Sequence, residues 1–105
     1  MSTKMYQLEE KIRKLKQKLV EVGPLRPGSL TLQQRQASRK PYGQYWHLSY
    51  THAGKGHTEY VPTAHLKVIR REIKNYRVFK LALEQFIAAS IELSTLKMKS
   101  VKDSR

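Results

Sequence analysis

Four histidines, His47, His52, His57 and His65, fall in one short stretch of the chain, and metal binding is the first chemistry they suggest. There is no cysteine, the nearest acid is Glu59, and the spacing is irregular, so no metal site is expected. Ser49 and His47 would share a face if this stretch is a strand. A lone pair of that kind is ordinary surface far more often than a catalytic dyad. Asp103 is the single aspartate, and no carboxylates are paired at a spacing that suits acid–base work. No glycine-rich loop runs into Lys-Ser or Lys-Thr. Neither an enzyme nor a cofactor is expected.

The richest constellation is polar and planar. Gln33, Arg35, Tyr45, His47, Ser49, Thr51 and His57 are read as one face of a small sheet, with Glu59 as its only acid. A β-ribbon of this kind can enter a DNA major groove, where Arg and Gln meet base edges and hydroxyls meet phosphates. The same face could stack unpaired bases on Tyr45. Arg35, Tyr45 and His47 would lie centrally, with Arg39, Lys40 and Lys55 on flanking loops. A second basic patch is Lys67, Arg70, Arg71, Lys74 and Arg77, spaced i, i+3, i+4, i+7 and i+10, with Glu72 the only acid near it. Arg39, Lys40, Lys55, Arg70, Arg71 and Lys74 are expected to hold phosphates. Plain solvation of both surfaces is the bland alternative.

Charge gives these patches their meaning. Lysine and arginine total 21 against 8 acids, a formal net charge of +13 on 105 residues. Such a surplus repels itself and opposes compaction. A polyanionic partner is the simplest reason to carry it, and nucleic acid is the commonest polyanion in a cell.

The elements that must position these residues follow from periodicity. Met5, Leu8, Ile12, Leu15, Leu19 and Val22 repeat at alternating three and four residues, the seam of a helix over 3–22 lying along one other helix. Gly23 and Pro24 end it. Leu25-Arg26-Pro27-Gly28 is a turn-rich linker. Leu30 and Leu32 alternate with Thr31, Gln33 and Arg35 in a first strand, and Ala37 to Gly43 is a basic loop. Gln44 to Thr51 is the strongest strand signal, with Trp46, Leu48 and Tyr50 on one face. His52-Ala53-Gly54-Lys55-Gly56 is read as the turn, and His57 to Val61 as the return. Pro62 stops that strand, and Thr63 caps a helix running to about Met98. Its early stripe, Leu66, Ile69, Ile73 and Tyr76, suits the sheet. Its later seam, Phe79, Ala82, Phe86, Ala89, Leu93 and Leu96, widened by Leu83, Ile87 and Ile91, suits the first helix. Lys99 to Arg105 is read as a frayed tail.

The expectation is an α+β fold in a single domain over 1–105: an N-terminal helix, a three-stranded antiparallel sheet over 29–61, and a long C-terminal helix over 63–98. The two helices would pack as an antiparallel coiled-coil-like hairpin, or either seam would pair between two copies in a homodimer. No apolar run is long enough to span a membrane, and the first residues lack the apolar stretch of a secretory signal. The apolar seams are narrow, with no Trp or Phe on the first helix, so a membrane partner is not expected either. The absence of cysteine suits a reducing compartment, and a cytoplasmic location is expected.

Pro27-Gly28-Ser29-Leu30, Tyr42 to Thr51 (YGQYWHLSYT), Tyr60-Val61-Pro62 and Ile73 to Phe79 (IKNYRVF), in that order, resemble a family of short basic bacterial proteins of unknown function associated with transposases and mobile elements. The resemblance runs from about Pro27 to Leu96. That family usually carries a cysteine cluster before the Tyr-Trp strand. Here the loop reads Gln36-Ala37-Ser38-Arg39-Lys40-Pro41, so the metal knuckle those cysteines suggest does not carry over. The resemblance implies a mobile-element context and no reaction. The order of elements also resembles, by analogy alone, the arm-type DNA-binding domains of phage integrases.

The sequence is therefore read as a non-enzymatic nucleic-acid-binding protein, with duplex DNA favoured and an accessory role in a mobile element. The alternatives are an RNA-binding subunit of a ribonucleoprotein and a coiled-coil scaffold acting through its helical seams.

Overall fold

The computed structural model describes residues 3–34 and 44–103. Helix α1 spans Thr3–Glu21, strands β1, β2 and β3 span Ser29–Gln34, Gln44–His52 and Lys55–Val61, and helix α2 spans Leu66–Asp103 after a 3₁₀ turn at Thr63–His65. The element order and the α+β class are those expected. Arg35, Arg39, Lys40 and the rest of the basic loop lie outside the described residues. The chain divides into two units, 23–77 and the pair of segments 1–22 and 78–105, with α2 contributing to both.

In the unit 23–77 the sheet is antiparallel in the order β1-β2-β3. Leu30 pairs with Leu48 and Leu32 with Trp46, while Trp46 pairs with Val61 and Tyr50 with His57. Alternation puts Trp46, Leu48 and Tyr50 on one face, where Leu48 and Val61 are buried against Ile69 and Ile73 of α2. Trp46, Tyr50, Leu30 and Leu66 complete this core. Gly28 enters the first strand at φ +143°, and a Cβ there would come within 2.6 Å of Leu48 Cδ1 and 3.1 Å of the Ser49 carbonyl oxygen. Only glycine lets the linker pass so close to the core.

The β2–β3 turn is tighter than expected. Ala53 (φ 53°) and Gly54 (φ 78°) alone form it, and His52 pairs with Lys55. Two successive positive φ values are the mark of the mirror-image turn that matches strand twist. The five-residue turn read over 52–56 would pair Thr51 with His57, whereas Tyr50 is the true partner. That slip of one residue moves every β3 side chain to the opposite face.

In the other unit α1 lies antiparallel to the second part of α2. Lys4 Nζ is 3.4 Å from Glu92 Oε1, whereas Lys16, twelve residues later, has its Nζ 5.9 Å from the centre of the Phe86 ring. Leu8, Ala89 and Leu93 are buried together, with Met5, Ile12 and Leu96 packed around them. Leu15 and Ala82 are also buried. Leu83, Ile87 and Ile91 do not widen this seam. They are exposed, Ile91 by 62%, because one partner helix covers only a narrow arc of α2. Helix α2 also continues past Met98 to Asp103, with neither proline nor glycine to stop it. Among the described residues, no helix is long and apolar enough to cross a membrane.

Candidate functional site

The sheet face turned away from α2 is built by the register. It carries Thr31, Gln33, Tyr45, His47, Ser49, Thr51, Thr58 and Tyr60. The Tyr45 hydroxyl donates to Gln33 Oε1 at 3.2 Å. The Tyr45 and His47 rings meet edge to face at 4.7 Å, and the Tyr60 ring lies 6.3 Å from Tyr45, tilted by 43°. Tyr45 and His47 are half-buried in this cluster, and Tyr60 is 63% exposed. Among the described residues the face holds no lysine, arginine, aspartate or glutamate.

Tyr60 is the residue that sequence reasoning missed. With the turn at Ala53-Gly54, parity puts Tyr60 and Thr58 beside His47 and Ser49, and the Gly54 after Ala53 was the available signal. The same correction moves three residues off this face. His57, Glu59 and Lys55 share the side of Trp46, Leu48 and Tyr50. Lys55 therefore does not flank the outer face on the strength of its register.

On the helix side of the sheet the linker is tied down. The Arg26 backbone N–H donates to the Glu72 carbonyl at 3.0 Å, and Asn75 Nδ2 donates to the Pro24 carbonyl at 2.8 Å. The Arg26 guanidinium reaches Glu59, which also accepts from the Tyr50 hydroxyl at 3.0 Å. His57 stacks on Tyr50 at 5.0 Å. The Tyr50 hydrogen bond, and behind it Arg26, hold the Glu59 carboxyl below its ordinary range against the opposing effect of burial. The bond to Glu59 in turn pushes the Tyr50 hydroxyl up, with burial adding to it. Among the described residues no three His, Cys, Asp or Glu side chains gather in a way that would hold a metal ion.

The helical cations form a separate surface. Lys67, Arg70, Arg71, Lys74 and Arg77 are exposed, on the turns whose Ile69 and Ile73 are buried under Leu48. The ridge spans about 15 Å at 1.5 Å per residue. Arg70 lies over Trp46, its Cζ 5.1 Å from the ring centre. Among the described residues no carboxylate pairs with any of the five.

Lys55 apart, the expected site residues that lie among the described residues fall into two groups. Gln33, Tyr45 and His47 stand together on the outer sheet face. Arg70, Arg71 and Lys74 stand together on the α2 ridge, on the other side of the sheet. The structure does not join them into one basic face.

A family model described as "Domain of unknown function (DUF6788)" matches residues 5–71. No curated protein and no solved structure matches the chain.

Proposed function

The chain belongs to that family, and we propose that it binds nucleic acid without catalysing a reaction on it. The ridge on α2 carries the proposal. Five exposed cations on one helical arc, none paired with a carboxylate among the described residues, are a surface for phosphates, and the net charge of +13 attracts the same ligand from a distance. The outer sheet face, among the described residues, enters as a neutral aromatic surface rather than a basic one. The proposal includes an accessory role in a mobile element, supported only by the resemblance of Pro27 to Leu96 described above and not by the matched family, and a cytoplasmic setting, which a chain without cysteine suits.

A salt titration tests this directly. Engagement of all five ridge cations gives a log–log slope of about −3.5 on single strands and about −4.5 on duplex. Reversing Lys67, Arg71 and Lys74 to glutamate flattens that slope and weakens binding. Binding indifferent to salt, or no binding at low salt, removes the proposal.

A second reading, a helical scaffold, is favoured by one observation. Ile87, Ile91 and Met98 line an open apolar groove on α2 with Phe86, Ser90, Ser94 and Thr95. It predicts that Ile91→Lys abolishes assembly, read by light scattering, while ridge reversal leaves assembly intact.

A further inference from the structure

We propose that the outer sheet face is a stacking platform for unpaired bases, with Tyr60 and Tyr45 as its rings. This rests on the nucleic-acid reading above and names the class of ligand: a single-stranded stretch of DNA or RNA.

Cross-strand rings steady a sheet by contact with one another, but that contact does not ask for a ring left mostly open to solvent. Here a tyrosine 63% exposed stands beside a second tyrosine and a histidine, on the side away from the core. The core does not use Tyr60, since Leu48, Val61, Ile69 and Ile73 lie on the opposite face. Tyr45 is held by Gln33 and by the edge contact with His47, so little rotamer freedom is lost when a base settles on the cluster. The 6.3 Å separation and the tilt keep Tyr45 and Tyr60 from stacking on each other.

The surrounding groups suit bases better than a protein or a duplex. Thr31, Ser49, Thr51 and Thr58 offer hydroxyls, and Gln33 a carboxamide, to base edges. The described face has no cation to grip the two phosphate rails of a duplex, whose bases are in any case stacked on one another. A single strand exposes its π-faces, and stacking on aromatic side chains binds it with little regard to sequence. Long-range attraction comes from the cations elsewhere on the molecule.

The test uses the full chain and labelled oligonucleotides of about 12 nucleotides, within the range of single-strand site sizes: oligo-dT, oligo-rU and a DNA duplex. Tyr60→Ala and Tyr60→Leu are each expected to weaken single-strand binding by about 5- to 150-fold, with duplex binding and the salt slope unchanged. Tyr60→Phe keeps the π-face and is expected to bind like wild type. A 2-aminopurine probe should lose fluorescence on wild type and not on Tyr60→Leu. Comparing oligo-dT with oligo-rU tells the two sources of the strand apart. If Tyr60→Ala binds single strands like wild type, with the salt slope intact, the platform falls and the phosphate ridge stands. Equal binding by Tyr60→Leu and Tyr60→Phe also overturns it, because apolar bulk then suffices. If no oligonucleotide binds at low salt, both proposals fall together.

Discussion

The Arg26 guanidinium carbon stands 4.7 Å from the centre of the Tyr50 ring, so a linker residue roofs the end of the hydrophobic core. The same guanidinium reaches Glu59, and the backbone N–H of Arg26 reaches Glu72 of α2. One residue thereby joins linker, sheet and helix within the unit 23–77. Arg26→Ala should lower the melting temperature by at least about 2–8 °C, the range that losing even an exposed cation–π contact gives in a domain of this size, since Arg26 and Tyr50 are both half-buried. Arg26→Lys should recover only part of this, since an ammonium lacks the plane that lies on the ring. Thermal denaturation by circular dichroism reads both, and an unchanged melt for Arg26→Ala would show the contact to be idle.

The Tyr50–Glu59 bond makes stability depend on pH at both ends. Glu59 is held below its ordinary range, so its contribution is present above the unfolded carboxylate value of about 4.3 and is lost as pH falls through the lower folded value. The Tyr50 hydroxyl is pushed up, so its contribution is present below about 10 and is lost as pH rises through the higher folded value. Between those limits Tyr50→Phe should melt below wild type. The gap should close below about pH 4 and again above about pH 10. A gap that stays constant across that range would rule the bond out as the cause.

Ala53 holds a left-handed backbone at φ 53°, next to Gly54. An L-residue with a plain Cβ is strained there by roughly 1–2 kcal/mol, whereas asparagine visits the region routinely. Ala53→Asn would create the Asn-Gly pair that two-residue hairpins favour. Ala53 is exposed, so nothing else changes. The variant should gain about 0.5–1 kcal/mol, measured by urea denaturation. A loss of stability would mean that the turn geometry is not the one described.

That turn also marks where the sequence stopped being legible. The alternation of Trp46, Leu48 and Tyr50 against Tyr45, His47 and Ser49 fixes the two faces of β2 without help, because apolar and polar residues separate cleanly. Strand β3 has no such contrast. Lys55, His57 and Glu59 are as polar as Thr58, so only the turn length sets its parity, and a one-residue error puts His57 and Glu59 on the wrong face. Arg26 falls in the turn-rich linker, and nothing in Leu25-Arg26-Pro27 announces a partner 33 residues away. On α2 the apolar residues circle much of the helix. Periodicity alone does not say that α1 takes the arc of Ala89 and Leu93 and leaves that of Ile87 and Ile91.

The choice of that arc is a matter of size. Ala89 is 3% exposed, between Leu8 of α1 and Leu93 one turn further along α2. A methyl side chain at the seam lets the helix axes approach, whereas the bulkier Ile87 and Ile91 on the other arc would hold a partner away. Ala89→Leu should therefore force the helices apart and destabilise the unit formed by 1–22 and 78–105 by about 1–3 kcal/mol. Ile91→Ala, on the arc α1 does not cover, should stay within about 0.5 kcal/mol of wild type if that arc faces only solvent. Denaturant melts followed at the helical circular-dichroism band compare the two. Should Ala89→Leu prove neutral while Ile91→Ala is costly, the open arc and not the α1 seam would be the one that packs.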